Sequence, residues 1–187
     1  MTESKIKDGT GTGRIAGVNR KNQLVTHAVT ETEGEFINSH DQLSFLLYID
    51  ITPTAANDVF CYIKNTHATH DMEVNWYRVW TEAAAEAIDV YIGHSGTPAG
   101  TTTMTPRNTN ITSNATATGE FYEGADITGL SNGVILDRLR ISGDGKDVVE
   151  NFPGKIIIPQ GGVLTFQVLN GAIPVELTVS FHYKVAD

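Results

Sequence analysis

The chain has 187 residues, of which 40% are hydrophobic and 19% charged, and its 13 basic and 22 acidic residues give a formal net charge of −9. That is the balance of a soluble globular protein, long enough for one well-buried domain plus an arm, or at most two small domains. The dispersed acidic excess excludes nonspecific nucleic-acid binding, which needs clustered Lys and Arg to displace counterions. No apolar run approaches the roughly 18 residues of a membrane span.

Met1 to Lys5 carries no hydrophobic segment, so no secretory leader is expected and synthesis is assigned to a cytosol. Gly9, Gly11, Gly13 and Gly17 then alternate with small polar residues, too flexible and too poor in apolar mass to form a core alone. The apolar pieces Ile15-Ala-Gly-Val18 and Leu24-Val-Thr-His-Ala-Val29 flank Asn19-Arg-Lys-Asn22, which reads as a hairpin turn. A glycine-rich arm with one hairpin needs a surface to lie against, so it is a candidate docking element. Residues 31–42 are polar and read as a linker.

From residue 43 the pattern is that of short strands. Leu43 to Ile51 is apolar at every odd position, a sheet period. Strands are next predicted over 58–64 and 72–80. In the second, Met72, Val74 and Trp76 alternate before the phase slips to Tyr77 and Val79, as a β-bulge would produce. Glu82 to Ala87 has some helical character but is too short to stand as more than one turn or a strand end. A strand over 87–93 leads into a Thr/Asn/Gly-rich excursion, 94–114. Further runs follow near Phe121, over 133–142, at Lys155–Pro159 and over 163–169. Asn170-Gly171 is a strong hairpin signal leading into the last strand. There Ile173, Val175, Leu177, Val179, Phe181 and Tyr183 share one face, and Glu176, Thr178, Ser180, His182 and Lys184 the other.

Eight principal runs, starting near 43, 58, 72, 87, 117, 133, 163 and 173, suit a two-sheet sandwich. The expected fold is therefore all-β, an eight-stranded jelly-roll-like sandwich over 43–187. Residues 1–42 supply an extended arm, a β-hairpin and a linker. An immunoglobulin-like sandwich is the alternative, weakened by the lack of a cysteine pair: Cys61 is the only cysteine and lies in an apolar run, as a small buried hydrophobe.

Catalytic signatures fail one by one. Gly9-Thr-Gly-Thr-Gly13 has neither the spacing nor the strand and helix of a dinucleotide loop, and no Lys-Ser/Thr follows it as in a P-loop. His67, His70 and Asp71 are the densest set of metal-ligand types, yet their spacing is not that of a double-stranded β-helix enzyme, and His182 falls on the polar face. Asp144, Asp147 and Glu150 lack EF-hand spacing and have Lys146 among them. Glu120 and Glu123 form no distinctive pair, and no Gly-x-Ser-x-Gly elbow occurs. No cofactor or metal is expected, and no enzymatic activity. Trp76, Tyr77, Trp80, Tyr91, Phe121 and Tyr122 could line a sugar-binding face; the plainer reading puts Trp76 in the core and the others on sheet faces or a subunit interface. Asn110 and Asn114 fit glycosylation sequons, without significance in a cytosolic product.

The arm pattern Ile6-Lys-Asp-Gly-Thr-Gly, Ala16-Gly-Val-Asn-Arg-Lys-Asn-Gln-Leu24 and Ala28-Val-Thr-Glu31 resembles the N-terminal segment of tailed-bacteriophage virion structural proteins. The segments Val90-Tyr-Ile-Gly93, Gly96-Thr-Pro98, Thr105-Pro-Arg-Asn-Thr-Asn110 and Ile158-Pro-Gln-Gly-Gly-Val-Leu-Thr-Phe166 are similar to parts of such proteins too. The resemblance implies a capsid decoration (cement) protein, a homotrimeric jelly roll on the capsid exterior, with the major capsid protein as partner. Ile6, Lys7, Asp8, Ile15, Val18, Leu24 and Val25 of the arm are the expected docking residues, toward either the capsid or a sister subunit. Neither nucleic acid nor membrane is an expected partner. Because similar segments occur in tail and fibre-associated proteins, the alternative is a receptor- or glycan-binding virion protein.

Overall fold

The computed structural model describes residues 17–18, 24–25, 42–82, 86–141 and 148–185. The chain divides into two compact units, Met1–Thr32 and Glu33–Asp187. In the first, β1 (Gly17–Val18) and β2 (Leu24–Val25) pair antiparallel, Gly17 opposite Val25 and Val18 opposite Leu24. This is the pairing expected on either side of Asn19–Asn22.

The second unit is all-β, with no helix among the described residues. Its strands in chain order are β3 (Ser44–Ile51), β4 (Val59–Asn65), β5 (His70–Thr81), β6 (Glu86–Ile92), β7 (Ser95–Ala99), β8 (Thr102–Thr103) and β9 (Arg107–Asn108). Then follow β10 (Gly119–Glu123), β11 (Thr128–Ser131), β12 (Val134–Ile141), β13 (Val148–Ile158), β14 (Val163–Val168) and β15 (Val175–Val185). A six-stranded sheet runs β12-β6-β14-β4-β10-β8 and a five-stranded sheet β13-β5-β15-β3-β9, while β7 and β11 form a separate ribbon. All pairings are antiparallel. In the ribbon, Gly96 and Gly129 both have positive φ and approach so closely that a Cβ on Gly96 would strike the Gly129 carbonyl.

The two large sheets share one apolar core, as their alternation dictates. Phe45, Leu47, Ile49, Val179 and Phe181 from one sheet meet Phe60, Ile63, Leu164 and Phe166 from the other. Aromatic rings bridge the layers: Phe121 stacks on Phe181 at 5.5 Å, and Tyr77 meets Phe166 edge-on at 5.3 Å.

Four details depart from the sequence expectations. Trp76 is half-buried and Tyr77 takes the core position, because β5 bulges: Val74 pairs with Phe181 and Trp76 with Ser180, leaving Asn75 as the extra residue. Asn170-Gly171 does not close a hairpin. β14 lies in the six-stranded sheet and β15 in the five-stranded one, so residues 169–174 cross between layers. The amides of Leu169 and Asn170 donate to Glu86 Oε1 at the start of β6, a non-local anchor that overrides the turn signal. The 94–114 excursion contains three short strands. Finally, the predicted run at 155–159 is only the end of β13, which starts at Val148 and carries a register shift between Asn151 and Ile156.

Candidate functional site

The most distinctive surface lies where the two sheets end in β12 and β13. Among the described residues, β12 pairs only with β6 and β13 only with β5, so each presents an outer backbone edge. The charged half of β12 is engaged within the sandwich. Tyr77 donates its hydroxyl to Asp137 at 2.7 Å, burial and then Asp137 pushing the phenol far above its ordinary range. Arg138 makes a two-pronged bond to the buried Asp89, 2.5 and 2.8 Å. The other half is apolar and exposed. A register shift between Ile135 and Asp137 turns the strand there, and Val134, Ile135 and Leu136 are all solvent-facing, Val134 at 64%. Ile157 on β13 is 56% exposed. Between them runs an apolar groove of about 470 Å³, lined by Ile92, Leu136, Ile156, Ile157, Pro159 and Val163 among others. Contiguous apolar surface next to open sheet edges is the chemistry of association.

At the opposite end of β6 from Ile92, the buried Glu86 carboxylate accepts the amides of Ala87, Leu169 and Asn170 at 2.8, 3.2 and 2.8 Å. That arrangement is structural, since three amides converge on one carboxylate oxygen to hold the crossover.

The remaining candidates from the sequence behave as follows. Ile6, Lys7, Asp8 and Ile15 lie outside the described residues, as do Gly9–Gly13, Asp144 and Asp147. Val18, Leu24 and Val25 are in the β1–β2 pair. His67 and His70 do come together, ring centroids 4.3 Å apart. His182 keeps its polar-face phase but is fully buried, its Nε2 3.1 Å from Glu73 Oε2, so it is a paired interior residue and not an exposed one. Among the described residues, no group of three or more His, Cys, Asp or Glu is placed to hold a metal. Glu120 bonds Lys64 at 2.9 Å, while burial and then Asp50 raise the Glu123 carboxyl. Burial pushes the Cys61 thiol well above its ordinary value, which leaves it unreactive. The exposed row Val134-Ile-Leu136 escaped the sequence reading, because a continuous apolar run has the signature of a buried strand.

Comparison with protein-family models, with curated proteins and with solved structures gives no match.

Proposed function

We propose that this chain is a non-catalytic structural virion protein that decorates and stabilises a tailed-bacteriophage capsid as a homotrimer, with the N-terminal arm docking on the shell. What supports the reading is the long β12/β13 edge, unpaired among the described residues, with its exposed apolar row and groove, a surface suited to a second copy of the same sandwich. The strand orders β3-β15-β5-β13 and β4-β14-β6-β12 support a jelly roll, since eight strands wound as two Greek keys alternate in this way between two sheets. β7 to β11 would then be additions between the fourth and fifth strands. Cementing needs no chemistry: a protein that binds only the assembled shell stabilises it by mass action, and three linked arms offset the ordering cost of each.

In solution the chain, 20.2 kDa alone, is expected to have a mass of about 61 kDa by light scattering. A monomer would overturn the trimer. Labelling of phage particles in electron cryo-microscopy should place the chain on the capsid exterior. Its absence from virions would refute the functional reading.

One observation favours a second reading, a glycan-binding virion protein. On the outer face of the five-stranded sheet, register sets Thr178 between Tyr48 and Arg78, and Glu176 beside Trp80. Tyr48 is half exposed. Saccharide binding on a glycan array, with a label on the tail, would select it.

A further inference from the structure

The turn joining β4 to β5 is built around two imidazoles that share one threonine. The Thr69 amide donates to His67 Nδ1 at 3.3 Å, and the Thr69 hydroxyl lies 3.0 Å from His70 Nδ1. The two rings meet edge to face, and His67 also lies against the Tyr183 ring, centroids 5.3 Å apart. Fully buried Asn65 holds the base of the turn. Its Nδ2 donates to the carbonyls of His70 and Ile158, and its Oδ1 accepts the His67 amide, each at 2.9 Å.

A ring nitrogen that accepts an N–H carries no proton of its own, so this turn requires a neutral His67 with its proton on Nε2. A proton at Nδ1 sets donor against donor at Thr69 and puts a positive charge beside a second imidazole. The titratable groups facing His67 among the described residues are His70 from β5 and Tyr183 from β15. Tyr183 donates its hydroxyl to the Thr118 carbonyl at 2.8 Å and is held neutral by burial. Asp71 and Lys184, opposite one another in register, belong to the other face of the sheet, where Glu73 pairs with His182. Burial first, and His70 second, lower His67 below its ordinary value, and among the described residues no carboxylate raises it.

We propose that the β4–β5 turn is an acid-sensitive latch: protonation of His67 at Nδ1 breaks its bond with Thr69 and releases residues 66–69 from the end of the sandwich while the sheets stay paired. The direction follows from linkage. The unfolded chain titrates His67 near about 6.5, and the folded chain lower. Between those values the unfolded state holds the extra proton, so the turn's contribution is complete above the upper value and is lost as pH falls through the window beneath it.

The test is nitrogen-15 NMR of the whole chain with labelled histidine, together with amide exchange at Thr69. At about pH 7.5 His67 should show the Nε2–H tautomer, titrating below its ordinary value. On acidification to about pH 5, Thr69 protection, corrected for intrinsic exchange, should fall about tenfold. His67→Phe keeps a ring against Tyr183 but cannot accept a hydrogen bond or titrate, so Thr69 protection should be low and unchanged across the same range. An Nδ1–H tautomer, a titration at or above the ordinary value, or an equal fall in His67→Phe would overturn the proposal. Should that variant fail to fold, tautomer and titration in the unsubstituted chain decide.

Discussion

On one side of the sandwich the outermost strands are β8 and β9, two residues each; on the other they are β12 and β13, eight and eleven residues long. The short side is polar and closed by its own side chains. Asn108 Nδ2 donates to the carbonyls of Gln42 at 2.6 Å and Ala115 at 3.3 Å, and its Oδ1 accepts the Asn110 amide at 2.8 Å. On the long side, among the described residues, one half of β12 and Ile157 of β13 are apolar and exposed, and the outer backbone edges are open. A chain that blunts one pair of edges with Thr and Asn, yet keeps Val134, Leu136 and Ile157 in solvent on the other, distributes its aggregation risk unevenly. The difference is what the proposed self-association would draw on.

Three substitutions break or sharpen this contrast. The largest effect belongs to the shared core. Phe181 stacks with Phe45 and Phe121 and meets Tyr183 edge-on, so Phe181→Ala should lower stability by about 4 kcal/mol and loosen both sides together in a thermal melt. Next is Asn108→Ala, expected to lose about 1–2 kcal/mol through the unsatisfied groups it leaves, with no change in mass by light scattering. Smallest in stability is Leu136→Glu, within about 0.5 kcal/mol on an exposed site, yet it should drop the solution mass toward that of a single chain. If Asn108→Ala dissociates the protein and Leu136→Glu does not, the two sides have been assigned the wrong roles.

Where a face alternates cleanly, the fold was legible in sequence: β3, β5 and β15 were found within a few residues, and the phase slip before Tyr77 did mark the bulge at Asn75. Where the partner is distant, it was not. The Asn170-Gly171 signal is local, whereas Glu86, which captures the neighbouring amides, lies on another strand. β13 was truncated because Pro153 and Gly154 interrupt its pattern, and a run near Phe121 stood in its place among the eight. Ile6 and Lys7 of the arm lie outside the described residues, and their expected docking role rests on sequence pattern and resemblance. The open edge had the composition of an interior strand, and only topology reveals that it has a neighbour on one side.

β14 and β15 are the last two strands in chain order, and each sits at the middle of its sheet, β14 between β6 and β4, β15 between β5 and β3. Neither layer can close until residues 163–185 have left the ribosome. Before that, the strands already synthesised have gaps where their central partners belong. Folding is therefore expected to be late and dominated by pairings far apart along the chain. A product broken off before residue 163 would lack the central strand of both sheets, so completion of the chain and completion of the core coincide.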